Sequence, residues 1–425
     1  MIFAIILFVL TYVLMIALPK YRPYVAIASA VIFVVTGMLP LGKILPSIDF
    51  NVLLMIASTM GLVALVIESG MPALLSDLIL EKVPNVKWAI VILSLFAGLI
   101  SAFVDNVATV LMIASVALAA AKRLNISPVR MIIAIAVSSN LQGAATLVGD
   151  TTAILLGSYA GLSFNDFFVY LHRPCMFFIT EIGALVSALI LLWLFRKEHG
   201  VIEAGRRTVV EDKVPTILLL LAVLLLIAAS FIPGKPSVTN GVICTVLMVI
   251  GVVRYAVKNR SVSAMLKPLK QIDFETIGLL AGLFVVIGGI TEQGVIDALA
   301  GLFTRLGNGS PFLIYTIIVW GSVLISAFID NIPYVATMLP VTRGIALAMG
   351  MNPTALFFGL LVGATLGGNL TPIGASANIT GIGILRKEGY EVKNRDFLGI
   401  GVPFTLAAVI PAYILVWLLF GHIAG

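Results

Sequence analysis

Long apolar stretches fill most of this chain, and short polar segments separate them. A membrane-spanning helix needs about 20 apolar residues, and the stretches near that length predict five crossings in each half of the chain. In the first half these are residues 3–18, 24–40, 51–68, 131–160 and 174–195. In the second half they are residues 215–233, 237–253, 276–291, 354–384 and 399–421. The pattern predicts an all-α, polytopic membrane protein.

Each half also contains two apolar arms joined by an Asp-Asn pair. The arms are residues 88–104 and 106–121 around Asp105-Asn106, and residues 311–329 and 332–347 around Asp330-Asn331. Two polar residues are too few for a hydrated loop between two full spans. We therefore expect two re-entrant hairpins, over residues 88–121 and 311–347, with their tips at bilayer depth. Such backbone is tolerated there only if it is buried in protein or faces a water-filled cavity.

The two halves repeat each other. The run SAFVDN at residues 101–106 recurs as SAFIDN at residues 326–331, an offset of 225 that also maps the glycines of one polar segment onto those of another. An offset of 224 maps Ile48-Asp49-Phe50 onto Ile272-Asp273-Phe274. We predict repeats over residues 1–200 and 215–425, joined by a cytoplasmic linker over residues 201–214. Because each repeat has an odd number of crossings, the repeats should be inverted, as in many secondary transporters.

Composition and charge support a membrane topology and exclude other classes. Hydrophobic residues make up 60% of the chain and charged residues 11%, against about 25% charged in soluble domains. If Lys20 and Arg22 are cytoplasmic, 21 of the 26 Lys and Arg residues lie inside, as the positive-inside rule requires. The net charge of +6 then reflects topology, and no nucleic-acid partner is expected. The protein should lie in the plasma (inner) membrane, with both termini outside and the lipid bilayer as its surroundings.

The chain carries no signature of an enzyme. It has no P-loop and no catalytic triad pattern, so neither ATP-driven transport nor hydrolysis by this chain is supported. Cys175 and Cys244 sit in apolar stretches, and the three histidines show no ligand spacing. We predict no catalytic residue, no cofactor and no metal site; the coupling ion would be the proton, with sodium as an alternative.

Ionisable residues inside apolar segments are the main candidates for function. Each costs about 2.5 to 3.5 kcal/mol to insert, and such residues tend to mark ion or substrate pathways. Asp105 and Asp330 lie at the hairpin tips, Asp150 in the fourth crossing and Glu181 in the fifth. Asp150 aligns with Ala375, so the repeat is chemically asymmetric. The alternatives are helix capping for the tip residues, a structural hydrogen bond for Asp150 and an interhelical contact for Glu181.

The fourth crossing of each repeat should be a broken helix. Residues 131–160 would span about 45 Å if wholly helical, against a hydrocarbon core of about 30 Å. Gly143 and Gly149 permit an unwound centre, and residues 354–384 repeat this pattern around Gly368 and Gly374. Helix ends at such breaks direct their dipoles at a bound solute.

Four motifs resemble a known family. FVDNVATVLM, GAATLVGD, FIDNIPYVATMLP and GGNLTPIGASAN are similar to the ion transporter superfamily, in the branch of ArsB-type arsenite efflux permeases, NhaD-type sodium/proton antiporters and the P protein. Citrate and dicarboxylate transporters are related at the level of the fold. The resemblance covers nearly the whole chain. It implies a scaffold domain, a transport domain, an elevator-like movement and a homodimer; a partner ATPase is left open.

The resemblance also implies the contacts with substrate or ion. Together with the polar residues of the two helix breaks, the predicted site comprises Asp105, Asn106, Asn140, Thr146, Asp150, Thr151, Asp330, Asn331, Asn369, Thr371, Ser376 and Asn378. One departure concerns Asp150-Thr151-Thr152, where some relatives have Asp followed by two prolines.

Three cargoes are compatible with these residues, and each is a small solute or ion. The first hypothesis is proton-coupled efflux of arsenite or antimonite, whose hydroxyls Asn and Thr would bind. The second is sodium/proton antiport at the Asp residues. Uptake of citrate or a dicarboxylate ranks third, because an Asp at each tip repels an anion unless sodium or protons neutralise it. A channel or a purely structural membrane protein fits the asymmetric acids less well.

Overall fold

The computed structural model describes residues 1–123, 126–200, 207–210, 212–307 and 309–423, and its secondary structure is almost entirely helical. The helices of the first half are α1 (Ile2–Ala17), α2 (Arg22–Val35), α3 (Ile44–Ser47), α4 (Phe50–Glu68), α5 (Met71–Leu80), α6 (Val86–Ser101), α7 (Asn106–Arg123), α8 (Val129–Gly143), α9 (Thr151–Ala160) and α10 (Met176–Leu194). Before α10, strands β1 (Val169–Tyr170) and β2 (Arg173–Pro174) pair antiparallel, with Val169 opposite Pro174.

The second half has the same order of helices. They are α11 (Val214–Ser230), α12 (Thr239–Lys258), α13 (Leu266–Leu269), α14 (Phe274–Glu292), α15 (Val295–Leu306), α16 (Pro311–Ser326), α17 (Asn331–Ala348), α18 (Thr354–Gly367), α19 (Ser376–Lys387) and α20 (Asn394–Phe420). The predicted all-α membrane fold is confirmed. The inverted relation of the halves stays a prediction.

The hairpin tips are longer than the sequence indicated. Helix α6 ends at Ser101 and α7 begins at Asn106, so residues 102–105 separate the arms. The expectation that only the Asp-Asn pair separates them was wrong, because each Asn is already the first residue of the second helix. Asp105 Oδ2 accepts the N–H of Ala108 at 3.1 Å, and Asp330 Oδ1 accepts that of Ile332 at 3.1 Å. Both tip carboxylates therefore cap the helices that follow them.

Both predicted helix breaks are present. Helix α8 ends at Gly143 and α9 begins at Thr151, while α18 ends at Gly367 and α19 begins at Ser376. Except for Arg130, the residues of α8 are buried, as are those of α18, so these two helices form the centre of the molecule. The breaks therefore lie deep in the protein.

Two short helices were missed by the sequence pattern. Helices α5 and α15 lie in segments that were assigned to neither a span nor a hairpin arm, and their 10 and 12 residues are too few for a span. Each follows a glycine with a left-handed backbone, Gly70 at φ 75° and Gly294 at φ 71°. Helix α5 packs on α7 and α15 packs on α17, so each braces the second arm of a hairpin.

The helices pack in two groups. Helices α2 and α14 lie along each other, as do α4 and α12, so each pair joins one half to the other. We call α1–α4 and α11–α14 the frame helices. The hairpins, the broken helices, α10 and α20 form the other group, in which α6 packs on α8, α16 on α18 and α10 on α20. That these two groups act as a scaffold domain and a transport domain stays a prediction.

In the described residues, five helices are individually long and apolar enough to cross a membrane: α4, α10, α12, α14 and α20. Helices α1 and α2 have 16 and 14 residues and meet at a bend of 118°. The bend places Arg22 at the first turn of α2 and not in a loop. The count of ten crossings stays a prediction.

Part of the predicted linker, residues 201–206 and residue 211, lies outside the described residues. The next part contacts α5: Arg207 binds Glu81 through two hydrogen bonds of 2.7 Å, and the N–H of Thr208 donates to Asp77 at 2.8 Å. This stretch of the linker is therefore attached to the first repeat.

Candidate functional site

A cavity of about 130 Å³ lies between the frame helices and the two hairpin tips. Half of the predicted site residues line it: Asp105, Asn106, Asp150, Thr151, Asn331 and Ser376. The frame contributes apolar residues of α4 and a polar group before and within α14, namely Gln271, Asp273 and Thr276. The fold thus brings segments that are more than 200 residues apart to one place.

Four helix N-termini meet at this cavity. Asn106, Thr151, Asn331 and Ser376 are the first residues of α7, α9, α17 and α19. A helix N-terminus carries about half a positive charge and unsatisfied N–H groups, which favour anions. The cavity therefore offers partial positive charge from the backbone beside negative charge from its aspartates.

Asp150 is the most enclosed carboxylate of the cavity. It occupies the N-cap position of α9 without capping that helix through its side chain, and it is 4% exposed. Asp150 Oδ2 accepts hydrogen bonds from the Thr152 hydroxyl at 2.7 Å and from the Asn331 amide at 3.4 Å. The Asn331 contact connects the helix break of one half with the hairpin tip of the other.

The two tip aspartates have different surroundings. Asp105 lines the cavity, whereas Asp330 does not and instead forms an ion pair with Arg22 at 3.1 Å. Arg22 also donates from Nε to the carbonyl oxygen of Met15 at 3.1 Å. The sequence pattern had counted Arg22 only as a cytoplasmic charge. The ion pair neutralises Asp330, and Asp105 and Asp150 remain as the carboxylates at the centre of the cavity.

Replacing Arg22 by Gln should lower the free energy of unfolding by about 2 kcal/mol, because it leaves Asp330 without its counterion. The cost is below the roughly 3 to 5 kcal/mol of a fully buried pair, since the two side chains are 24% and 16% exposed. Thermal unfolding in detergent measures the change. The double variant Arg22→Gln/Asp330→Asn should recover most of the loss, and an unchanged loss would contradict the pairing.

The other predicted residues hold the site together. Asn140 donates to the Thr365 carbonyl oxygen at 2.7 Å and to Asn369 Oδ1 at 3.1 Å, and Asn369 donates to the Val137 carbonyl oxygen at 2.8 Å. These amides join α8 to the second half. Asn140 also accepts a hydrogen bond from Asn106 at 3.0 Å, which connects this network to the cavity wall.

In each half, a threonine of the helix break donates a hydrogen bond to the hairpin tip of the same half. Thr146 Oγ1 donates to the carbonyl oxygen of Ala102, and Thr371 Oγ1 donates to that of Ala327. Asn378 donates to the carbonyl oxygens of Gly368 at 3.0 Å and Thr371 at 3.1 Å. These residues shape the site without lining the cavity.

Sequence reasoning missed Asp273 as a member of the cavity wall. It is exposed and caps α14 by accepting the N–H of Thr276 at 3.0 Å and its hydroxyl at 2.7 Å. Asp273 belongs to the repeated Ile-Asp-Phe motif, which aligns the two halves but does not by itself indicate that this carboxylate lines a cavity. Within the described ranges, no group of three His, Cys, Asp or Glu side chains could hold a metal ion. The cavity carboxylates are therefore dispersed and do not form a cage.

The sequence of this chain is similar to those of a family of membrane transporters. The sequence profile of a family described as "Citrate transporter" (CitMHS) matches residues 12–258 and 242–423. A protein of Mycobacterium tuberculosis named as an uncharacterized transporter is 32% identical over 443 residues, covering 98% of this chain and 97% of that protein. Human P protein is 26% identical over 90% of this chain, which corresponds to 55% of its own length.

A solved structure shares the fold. The crystal structure of the YdaH transporter of Alcanivorax borkumensis matches with a TM-score of 0.59 at 14% identity, covering 88% of this chain and 87% of that one. At this identity the match concerns the fold alone.

Proposed function

The chain belongs to the citrate transporter family of membrane transporters, and on that premise we propose that this secondary transporter carries a citrate-like carboxylate as its complex with a divalent cation. The observation that carries the proposal is the combination of aspartates and helix N-termini in one cavity. Asp105, Asp150 and Asp273 line it together with four helix starts, and its lining includes no Lys, Arg or His.

A free tricarboxylate does not suit such a cavity. Two like charges about 4 Å apart repel by about 4 kcal/mol at an effective dielectric of about 20, and Asp105 and Asp150 both face the space. A chelated divalent cation reduces this repulsion and can bind the aspartates itself. The carboxylate oxygens of the complex can then accept N–H groups at the helix starts.

The dispersed carboxylates favour a complex over a bare cation. Divalent cations such as calcium take six to eight oxygen ligands, and the described residues include no cluster of three acidic or His/Cys side chains. A chelated cation brings most of its ligands with it and needs only one or two more from the wall. Asp150 with Thr152, and Asp105 beside it, provide that number.

The hypotheses of arsenite efflux and sodium/proton antiport use the same residues. Asn106, Thr151, Asn331 and Ser376 could bind the hydroxyls of arsenous acid, and the aspartates could exchange sodium for protons. Proton coupling, an elevator-like movement and a homodimer are parts of the proposal that come from the family resemblance. Each cargo predicts a different result in the same assay.

Uptake of labelled citrate into proteoliposomes that contain a pH-sensitive dye tests the proposal. We expect uptake only when a divalent cation is present, accompanied by a proton flux. Asp105→Asn should reduce it at least about tenfold, because the variant keeps the helix cap but removes the charge that meets the cation. Asp297→Asn, an exposed aspartate of α15 outside the cavity, is the matched control and should transport normally.

Other outcomes would contradict the proposed cargo but not the assignment of this chain as a transporter. A proton flux evoked by arsenite alone would identify a metalloid permease, and one evoked by sodium alone would identify an antiporter. Citrate uptake that is equally fast in the presence of a chelator would show that the free anion is carried.

A further inference from the structure

A second cavity of about 600 Å³ is built from the repeat equivalents of the first. On the frame helices the offset of 224 maps four lining residues of α4 onto four lining residues of α14: Met60, Val63, Ala64 and Ile67 correspond to Phe284, Ile287, Gly288 and Thr291. The same offset maps Asp49, which lines the second cavity, onto Asp273, which lines the first. The two cavities are therefore equivalent surfaces at opposite ends of the frame helices.

The two cavities differ in depth. The first reaches Asp105, Val107 and Ala108 at the start of α7. The second contacts α17 only at Ala336, Leu339 and Pro340, more than a helical turn beyond the Asp330 tip. Asn331 and Ile332 of that tip face the first cavity instead. Of these two cavities, as the described residues line them, the first reaches both tips and the second reaches neither.

Polar contacts join the frame to the first turns of α17, next to the part of that helix that lines the second cavity. The Tyr12 hydroxyl donates to the carbonyl oxygen of Pro333 at 2.7 Å and contacts the Thr337 hydroxyl. Pro333 is the equivalent of Ala108, which lines the first cavity. At the mouth, the Ser158 hydroxyl donates to Asp49 Oδ2 at 2.5 Å. Tyr12 and Asp49 belong to the frame, whereas Pro333 and Ser158 belong to the hairpin group, so these contacts join the two groups.

The first cavity has no counterpart of the Ser158 contact. The residue equivalent to Ser158 is Gly383, which has no side chain to offer Asp273. Among the described residues, the Asp273 carboxylate hydrogen-bonds only within its own helix, to Thr276. The repeat is therefore symmetric in its mouth carboxylates and asymmetric in what those carboxylates bind.

We propose that the Ser158–Asp49 and Tyr12–Pro333 contacts hold the frame and the hairpin group together on the side of the second cavity and so keep that cavity closed off from the hairpin tips, and that Asp273, whose equivalent partner is Gly383, has no such contact to hold the first side closed. The second repeat has Gly383 where the first repeat has Ser158, and this difference biases the protein towards the state with the first cavity open. The inference rests on the transport role and is independent of the cargo, so a failed citrate assay does not affect it.

Cysteine accessibility tests the role of these contacts without any cargo. The variants Leu111→Cys and Ala336→Cys place reporters 225 residues apart, one in each cavity, in a chain whose native cysteines are both buried. A membrane-impermeant maleimide, applied to each side of oriented vesicles, should label the Leu111→Cys variant faster. Adding Ser158→Ala should slow that labelling and accelerate labelling of Ala336→Cys, shifting the ratio about fivefold, as expected for the loss of one hydrogen bond.

The reverse transplant provides the matched test. Gly383→Ser gives Asp273 the partner that Asp49 has, and a Cβ at Gly383 meets nothing within 4 Å. We expect the same direction of shift as for Ser158→Ala, and no shift for Gly383→Ala. Faster labelling of Ala336→Cys without slower labelling of Leu111→Cys would mean local loosening and would overturn the proposed role of the contacts. A Gly383→Ser variant indistinguishable from Gly383→Ala would overturn the inference that the missing hydroxyl at Gly383 sets the bias.

Discussion

Replacing Asp150 by Asn should abolish transport, by about 100-fold or more, in a protein that still folds. Asp150 is the most enclosed carboxylate of the cavity and connects to both halves through Thr152 and Asn331. Asn has nearly the same shape and retains an oxygen for the Thr152 hydroxyl, but it lacks the charge that would bind a cation or a proton. Loss of one partner from a buried charged contact costs about 2 to 5 kcal/mol.

Initial rates of uptake, normalised to folded protein from size-exclusion chromatography, measure this effect. Asp166→Asn is the control, because Asp166 accepts hydrogen bonds from Ser163 in a turn and lies outside the cavity. Transport at the native rate in the Asp150 variant would contradict the assignment of the cavity as the cargo site, whatever the cargo is.

A methyl group at Gly149 or Gly374 should be the most damaging small change to the fold. The Cβ of Gly149→Ala would lie 2.6 Å from the carbonyl oxygen of Gly143 and 2.7 Å from that of Ser101. At Gly374 the equivalent oxygens of Gly368 and Ser326 are 2.5 and 2.9 Å away. Because these contacts are with backbone, no side-chain rotation relieves them. We expect a loss of about 3 kcal/mol or more in each variant.

Thermal unfolding in detergent and the yield of monodisperse protein measure this loss. Gly321→Ala is the control: Gly321 lies in an arm of the second hairpin, and a Cβ there meets nothing within 4 Å. Its stability should be unchanged or slightly higher, since Ala favours helix. Native stability in Gly149→Ala would contradict the close packing of the helix break against the hairpin tip.

Several features of the fold were predictable because they depend on local patterns. The helix breaks follow from Gly143, Gly149, Gly368 and Gly374 in helices too long for a bilayer. The hairpins follow from Asp105 and Asp330 between apolar arms. Helices α5 and α15 were missed because short amphipathic segments look like loops in a search for spans. Their starts were marked only by Gly70 and Gly294, whose backbone conformation cannot be read from the sequence.

Half of the residues that the sequence predicted for the site line the cavity. Polarity at bilayer depth identified Asp105, Asp150 and Asn331, which line the cavity. The same criterion also selected Asn140 and Asn369, which the structure uses to join α8 to the second half. Polarity alone does not distinguish a side chain that faces a cavity from one whose partners are other protein groups. Asp273 was overlooked because it stands at the exposed end of a helix, where a capping Asp is ordinary.

The amino-acid sequence by itself determined the class of this protein: an all-helical membrane transporter with a duplicated pattern and acids at matching and non-matching places. These properties depend on hydrophobicity, spacing and residue type, which are present before folding. Only the tertiary structure decided that Arg22 neutralises Asp330, that four helix starts face Asp150 and Asp105, and that Ser158 binds Asp49 while Gly383 leaves Asp273 free of such a contact. Those contacts depend on which distant segments of the chain meet. Hydrophobic periodicity indicates which face of a helix is buried, but it does not specify the helix against which that face packs.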